Sequence, residues 1–158
     1  MNNQTHHYFS DAVGWIELTA SKSGVRSISY IDPPARTVVA RDHPVMNLLI
    51  EELDLYFAGE PVQFSVPLDS AHGTPFQRRV WKHLMTSIPW GETRSYGEVA
   101  ASVGNARAAR AVGTANKRNP IPILIPCHRV IKADGSLGGY NPGPDIKKRL
   151  LRLEGIQL

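Results

Sequence analysis

Between Val13 and Ile31 apolar and polar residues alternate, the two-residue period of a strand with one buried face. Residues 13–20 (VGWIELTA) and 25–31 (VRSISYI) predict two strands, and the Ser21-Lys22-Ser23-Gly24 turn between them predicts a hairpin. Asp32-Pro33-Pro34 closes the second strand, and residues 36–40 (RTVVA) are apolar enough to add a third. The period then changes. After Asp42, the residues Met46, Leu49, Ile50, Leu53, Tyr56 and Phe57 recur at helical steps, which predicts a helix with one buried face, stopped by Gly59. Prolines, a short apolar run and Gly73 fill 60–73. A domain boundary there divides the chain into 1–70 and 71–158.

The second half reads as short helices. Thr74 and Pro75 are an N-cap and first helical position, and Phe76, Val80, Leu84 and Ile88 form a buried stripe with Trp81 alongside. Pro89 and Gly91 end that helix. Ser95 and Glu98 have capping-box spacing and open a second helix, with Val99 and Val103 inward and Gly104 at its end. Asn105 is placed to cap a third, over about 106–117. One face of it is small and apolar (Ala108, Ala111, Val112, Ala115), and the other carries Arg107, Arg110, Thr114 and Lys117. Two short helices joined by a Gly-Asn turn predict a helix-turn-helix. Pro120, Pro122 and Pro126 exclude a helix and predict an extended 121–126. Val130-Ile131 and Leu137 to Tyr140 flank a turn at Ala133 to Ser136, which predicts a hairpin, or wing. A last helix over about 145–154 would bury Ile146, Leu150 and Leu153 and end at Gly155. The fold class is α/β in the α+β sense: a small antiparallel-sheet-plus-helix domain, then a helical winged helix-turn-helix domain.

Charge supports that division. Residues 1–71 carry 4 Lys/Arg against 9 Asp/Glu, and residues 72–158 carry 14 against 5. A basic half joined to an acidic half fits a polyanionic partner, the bland alternative being a solvated basic surface. No apolar run approaches the roughly 20 residues that cross a bilayer, and Met1 to Ser10 has no apolar core of a secretory signal. A single cysteine, Cys127, excludes an internal disulfide and a four-cysteine zinc site, and fits a cytoplasmic setting.

Cys127 lies in Pro126-Cys127-His128-Arg129. A lone cysteine is often a small buried hydrophobe. Here it follows a rigid proline-bounded segment, and His128, Arg129 and Lys132 are expected to lower its pKa. His128 is a candidate base. Neighbours on an extended chain point apart, so the pair needs a bend or a bridging water. A carboxylate commonly orients such a histidine, and Glu154 is the candidate.

These residues resemble the O6-alkylguanine-DNA alkyltransferase family. The resemblance rests on Ile125-Pro126-Cys127-His128-Arg129-Val130, with Arg110-Ala111-Val112-Gly113, Asn119-Pro120, Gly138-Gly139-Tyr140, Leu151-Arg152-Leu153-Glu154-Gly155, Thr74-Pro75-Phe76-Gln77, Val80-Trp81 and Ser95-Tyr96-Gly97 around it. It is strong over 74–155 and weak through Tyr56-Phe57-Ala58-Gly59. It implies a ribonuclease-H-like first domain and a single-turnover transfer of an alkyl group from O6-alkylguanine in duplex DNA to Cys127. The implied partner is double-stranded DNA met by a monomer, with cooperative binding as an open alternative, and no metal or organic cofactor takes part. His128 would take the thiol proton through a water, and Glu154 would hold His128. Asn119 would brace the turn before the cysteine, and Lys147 would donate a hydrogen bond near it. Tyr96 would help rotate and polarise the base while Arg110 fills the gap in the duplex. Ser95, Asn105, Arg107, Ala109 and Lys117 would line the DNA surface, and Tyr140, Val130, Asn141 and Pro126 the base pocket. Asn141-Pro142-Gly143 departs from the family's small residue and two glycines, which leaves the range of adducts open. The rival readings are a non-catalytic winged-helix binder of alkylated DNA and a cysteine hydrolase.

Overall fold

The computed structural model describes residues 3–70 and 72–158, and the chain divides into two compact units, Met1–Ala71 and His72–Leu158. The first unit is a three-stranded antiparallel sheet in the order β1-β2-β3 (Gln4–Ser10, Gly14–Ser21, Gly24–Tyr30), with helix α1 (Pro44–Phe57) packed across all three strands. Ile16, Leu18 and Ala20 of β2 and Val25 and Ile28 of β3 are buried, as are Met46, Leu49, Leu53 and Tyr56 of α1. Ile16, Leu18 and Ala20 share a face at the strand period, the register shift at Thr19/Ala20 brings Val25 opposite Ala20 as Ile28 is opposite Leu18, and the α1 residues recur at helical steps. The Ser21–Gly24 turn is tight because it is covered. A Cβ on Gly24 would stand 2.6 Å from the Pro67 carbonyl oxygen. Glu52 is buried on α1, and its carboxylate accepts from the backbone N–H groups of Ser65 and Val66, at 2.9 Å each for the nearer oxygen, and from Ser65 Oγ at 2.8 Å.

One expectation changes here, and two features carry no sign in the sequence pattern. The polar N-terminus contains β1, paired with β2 from Gln4↔Ala20 to Ser10↔Gly14. Residues 36–40 form no strand. They run beside β1 through the His7 N–H to Val38 carbonyl bond at 2.8 Å, while the Val38 and Ala40 N–H groups donate to ring nitrogens of His7 and His6 at 3.0 and 3.2 Å. Imidazoles take the places that ladder carbonyls would hold. The α1 cap is His43, whose Nδ1 accepts from Met46 N at 3.1 Å, and Asp42 before it sits at a φ of 51°.

The second unit contains α2 (Pro75–Ser87), β4 (Arg94–Ser95), α3 (Tyr96–Ser102), α4 (Ala109–Lys117), a 3-10 turn (Cys127–Arg129), β5 (Val130–Ile131) and α5 (Pro144–Leu153). Both capping boxes form, Thr74 with Gln77 and Ser95 with Glu98. Val80, Trp81 and Leu84 of α2, Val99 and Ala100 of α3, and Val112 and Ala115 of α4 make the core of the helical part. Trp81 also donates from its indole nitrogen to the Ala115 carbonyl at 2.8 Å, which fixes α4 against α2.

Helix α4 begins later than its sequence pattern predicts. Its N-cap is Ala108, without a side-chain bond, because Asn105 turns back on its own segment and accepts from Arg107 N at 3.2 Å. Arg107 therefore precedes the helix. On the predicted small face, Val112 and Ala115 are buried, Ala108 is half-buried and Ala111 is exposed. The segment 121–126 is not extended. It folds into a turn closed by Ile125 N to the Ile121 carbonyl at 2.9 Å, with Ile123 at a φ of 77°. Prolines exclude a helix but permit this turn, and a β-branched residue at positive φ is strained. No second strand forms at 137–140. Gly138, at a φ of 73°, leaves the strand region, and β5 pairs in parallel with β4 instead. The turn at 132–136 remains, with Asp134 Oδ1 accepting from Ser136 N at 2.9 Å. The buried face of α5 is also rotated: Lys147, Leu150 and Leu151 are buried, whereas Ile146 and Leu153 are half-buried.

Candidate functional site

The strained turn delivers Cys127 into the 3-10 turn, and this supplies the bend that neighbouring side chains need. Cys127 is 4% exposed and His128 fully buried. Asn119, just beyond α4, ties the segment together. Its Oδ1 accepts from Ile121 N at 2.9 Å, and its Nδ2 donates to the Ile125 carbonyl at 2.8 Å and to Cys127 Sγ at 3.1 Å. The same amide holds the turn and touches the sulfur.

Glu154, the C-cap of α5, brings the other end of the unit to this turn. Its Oε2 lies 2.5 Å from His128 Nε2, and its Oε1 accepts from Arg129 Nε at 2.7 Å. Burial alone would raise the Glu154 carboxyl, but its hydrogen bonds and charge attraction to His128 and Arg129 prevail and hold it near 2. Burial lowers the His128 pKa, with Glu154 opposing and Arg129 and Lys147 assisting. An ionised carboxylate accepts, so Nε2–H of a neutral imidazole donates and Nδ1 carries the lone pair. His128 Nδ1 is buried and makes no hydrogen bond to a protein atom.

The thiol departs from expectation. Burial pushes Cys127 up to about 11, against the hydrogen bond from Asn119 and the charge of Lys147. None of the cations adjacent in sequence ionises it: Arg129 faces Glu154, His128 is neutral, and Lys132 is exposed. The resting residue is a thiol, so its proton must leave as the reaction proceeds. Lys147 is fully buried and donates to the carbonyls of Val130 at 2.6 Å and Gly139 at 3.2 Å. Burial lowers its ammonium to about 8, with Cys127 opposing. Its Nζ lies 5.7 Å from the centre of the Tyr96 ring. The Tyr96 phenol is raised by burial and by Cys127, opposed by a backbone hydrogen bond with Gly139, so it stays protonated and able to donate. Gly138 lies against it, and a Cβ there would stand 2.8 Å from the Tyr96 hydroxyl.

Cys127, His128, Glu154, Asn119, Lys147 and Tyr96 thus form one connected cluster with Val130 and Pro126 buried beside it. Tyr140 is half-buried and Asn141 exposed, on the loop that leads to α5. Arg107, Arg110, Thr114 and Lys117 are exposed, Ala109 is half-buried at the start of α4, and Ser95 is occupied as the α3 cap. An open cleft of about 230 Å³ lies between the start of α3 and the turn after β5, lined by Arg94, Ser95, Lys132 and Gly135 among others, and it does not reach the sulfur. Sequence reasoning missed Arg129 as a partner of Glu154, Trp81 as the anchor of α4, and Gly139 as the backbone partner of Tyr96 and Lys147. All three stand in motifs that carry the family resemblance, which marks the residues but not their partners. Among the described residues no three His, Cys, Asp or Glu side chains gather as metal ligands.

A buried cysteine beside a neutral histidine, on a unit that also presents two short helices with an exposed Arg110, defines a helical domain with a thiol at its centre. Residues 75–156 match the family model of the 6-O-methylguanine DNA methyltransferase DNA binding domain, and residues 5–70 that of the same protein's ribonuclease-like domain. The chain belongs to the 6-O-methylguanine DNA methyltransferase family. It is 50% identical over 132 residues to the methylated-DNA–protein-cysteine methyltransferase of Mycobacterium bovis, covering 84% of this chain and 79% of that one. With the protein of that name from Methanosarcina acetivorans it shares 44% over 151 residues, 93% of this chain and 96% of the other. The crystal structure of Mycobacterium tuberculosis OGT in complex with DNA superposes with a TM-score of 0.82 at 44% identity, covering 98% of this chain and 93% of that one.

Proposed function

We propose that this protein repairs DNA by direct reversal: Cys127 Sγ takes the alkyl group from O6-alkylguanine in duplex DNA, once per molecule. The observation that carries the proposal is the sulfur's setting, donated to by Asn119 at 3.1 Å and followed by a neutral imidazole with a free Nδ1 lone pair. A thiol held near 11 by burial is almost wholly protonated at neutral pH, so activation must accompany substrate entry.

His128 Nδ1 accepts the thiol proton through a water. The S–C bond forms as the C–O6 bond breaks, and guanine leaves with its negative charge met by the Tyr96 hydroxyl. The base takes up a proton as it leaves and His128 gives one back through the same water, so that overall a hydrogen replaces the alkyl group on guanine. Imidazolium formed at His128 is held by Glu154. The product is a thioether, which water does not cleave, so turnover ends there.

A base inside a duplex hides its O6 from a buried thiol, so the nucleotide must rotate out, at a cost of a few kcal/mol. Arg110, exposed on α4, fills the gap and offsets part of that cost. Tyr140, Val130, Asn141 and Pro126 border the base, and Arg107, Lys117, Asn105, Ser95 and Ala109 meet the strand. The division of labour follows the domains, 1–70 as scaffold and 71–158 as DNA-binding and alkyl-acceptor domain. The protein works as a monomer in the cytoplasm, and no helix among the described residues is long and apolar enough to cross a membrane. The test is Cys127→Ala, which is expected to bind O6-methylguanine duplex as the wild type does and to leave the lesion unrepaired. Repair by that variant would overturn the proposal.

A further inference from the structure

Arg129 is a buried charged residue beside this cluster to which the transfer step gives no part. Its Nε donates to Glu154 Oε1 and its Nη1 to the Ile88 carbonyl at the α2 C-cap, both at 2.7 Å, and the residue is 7% exposed. One carboxylate therefore lies between a permanent cation and an imidazole. A buried carboxylate with only a histidine for a partner favours the imidazolium, because the ion pair compensates both desolvated charges. Imidazolium has no lone pair at Nδ1 and cannot accept a proton.

We propose that Arg129 is a positioning residue for alkyl transfer: by neutralising and orienting Glu154 it keeps His128 as the neutral Nε2–H tautomer, ready to accept the thiol proton at Nδ1. This rests on the reading of Cys127 as the alkyl acceptor. The charged and titratable groups facing His128 are Glu154 and Lys147 from α5 and Arg129 from its own turn, with Cys127 preceding it. Without Arg129, burial and Lys147 still oppose the pull of Glu154 but one cation is lost from that side, and the imidazole takes up a proton at higher pH. The bond to Ile88 sets the direction of the guanidinium, so the control runs from the end of α2.

The experiment is the pH–rate profile of methyl transfer from O6-methylguanine duplex for wild type, Arg129→Met and Arg129→Lys. In Arg129→Met the acid limb moves up by about one pH unit or more, so at a pH on that limb transfer falls roughly tenfold and recovers at higher pH. Arg129→Lys retains the charge and leaves the limb in place, whatever its effect on the maximal rate. A merely structural arginine would lower rates in both variants at an unchanged midpoint, and that result overturns the proposal. A second measurement needs no variant. The ¹⁵N shifts of His128 in the wild type near pH 7 should show a neutral ring protonated at Nε2, and an imidazolium there overturns the proposal. Wild-type methylation of Cys127 in the same assay tests the underlying reading separately, since its absence leaves the state of His128 still decided by the nitrogen shifts.

Discussion

Replacing Asn119 with alanine removes three bonds at once. Ile121 is fully buried, and its N–H loses the Asn119 Oδ1 it meets at 2.9 Å. An unsatisfied buried donor costs about 1–3 kcal/mol. The Ile125 carbonyl loses one donor at 2.8 Å but keeps the Cys127 N–H at 2.7 Å, which limits that loss to about 1 kcal/mol. Together the fold loses about 2–4 kcal/mol, a large part of the roughly 5–15 kcal/mol that holds a domain together. Urea unfolding should show this as a lower midpoint with an unchanged slope. The third bond concerns chemistry. As the sulfur gains charge, the Asn119 N–H to Sγ bond becomes worth about 1.5–3 kcal/mol. Its loss slows single-turnover transfer roughly ten- to a hundredfold. Asn119→Asp separates the effects, since it keeps an acceptor for Ile121 and replaces the donor with a negative charge beside the sulfur. That variant should be less impaired in stability than Asn119→Ala and more impaired in transfer. An Asn119→Ala protein with wild-type stability and a transfer rate within about twofold would refute the reasoning.

Gly138→Ala places a Cβ 2.8 Å from the Tyr96 hydroxyl at a backbone φ of 73°, so it should cost about 1–3 kcal/mol in thermal unfolding and slow transfer; Gly139→Ala, with nothing within 4 Å, should cost less. The Glu154 carboxyl lies near 2 in the folded protein against 4.5 ordinarily, so its stabilisation is complete above about pH 4.5 and is lost as pH falls toward 2. That amounts to about 3 kcal/mol, and Glu154→Gln should flatten this limb of the urea-midpoint profile. Arg110→Ala should slow repair of duplex lesions far more than reaction with the free alkylated base, measured side by side in single-turnover assays; equal losses would take the gap-filling role from Arg110.

Periodicity made the helices legible because α2 and α3 announce themselves with caps and α1 with a clean apolar stripe. It failed where polar groups replace apolar ones in the packing. Strand β1 was hidden because its histidines serve as acceptors for the 38–40 segment, a use that no hydrophobic pattern records. The face of α5 was misplaced because two of its buried positions are Lys147 and Glu154, charged residues that a pattern assigns to solvent. The turn at 121–126 needed a positive φ at Ile123, which no propensity predicts for a β-branched residue. The largest departure concerns the sulfur. Nearby cations in sequence predicted an ionised cysteine, yet the fold directs Arg129 to Glu154 and leaves burial to decide in favour of the thiol. The members of the site could be read from the motifs, but the charge each one carries depends on who faces whom across the turn.

The central claim is that one buried thiol, Cys127, accepts one alkyl group and is spent. Intact-protein and peptide mass spectrometry after incubation with excess O6-methylguanine duplex tests it most directly. The account predicts a gain of a single methylene, confined to the peptide that contains Cys127, with no further lesion removed once all molecules are modified. Unmodified protein after lesion loss, or continued repair beyond one lesion per molecule, would contradict it.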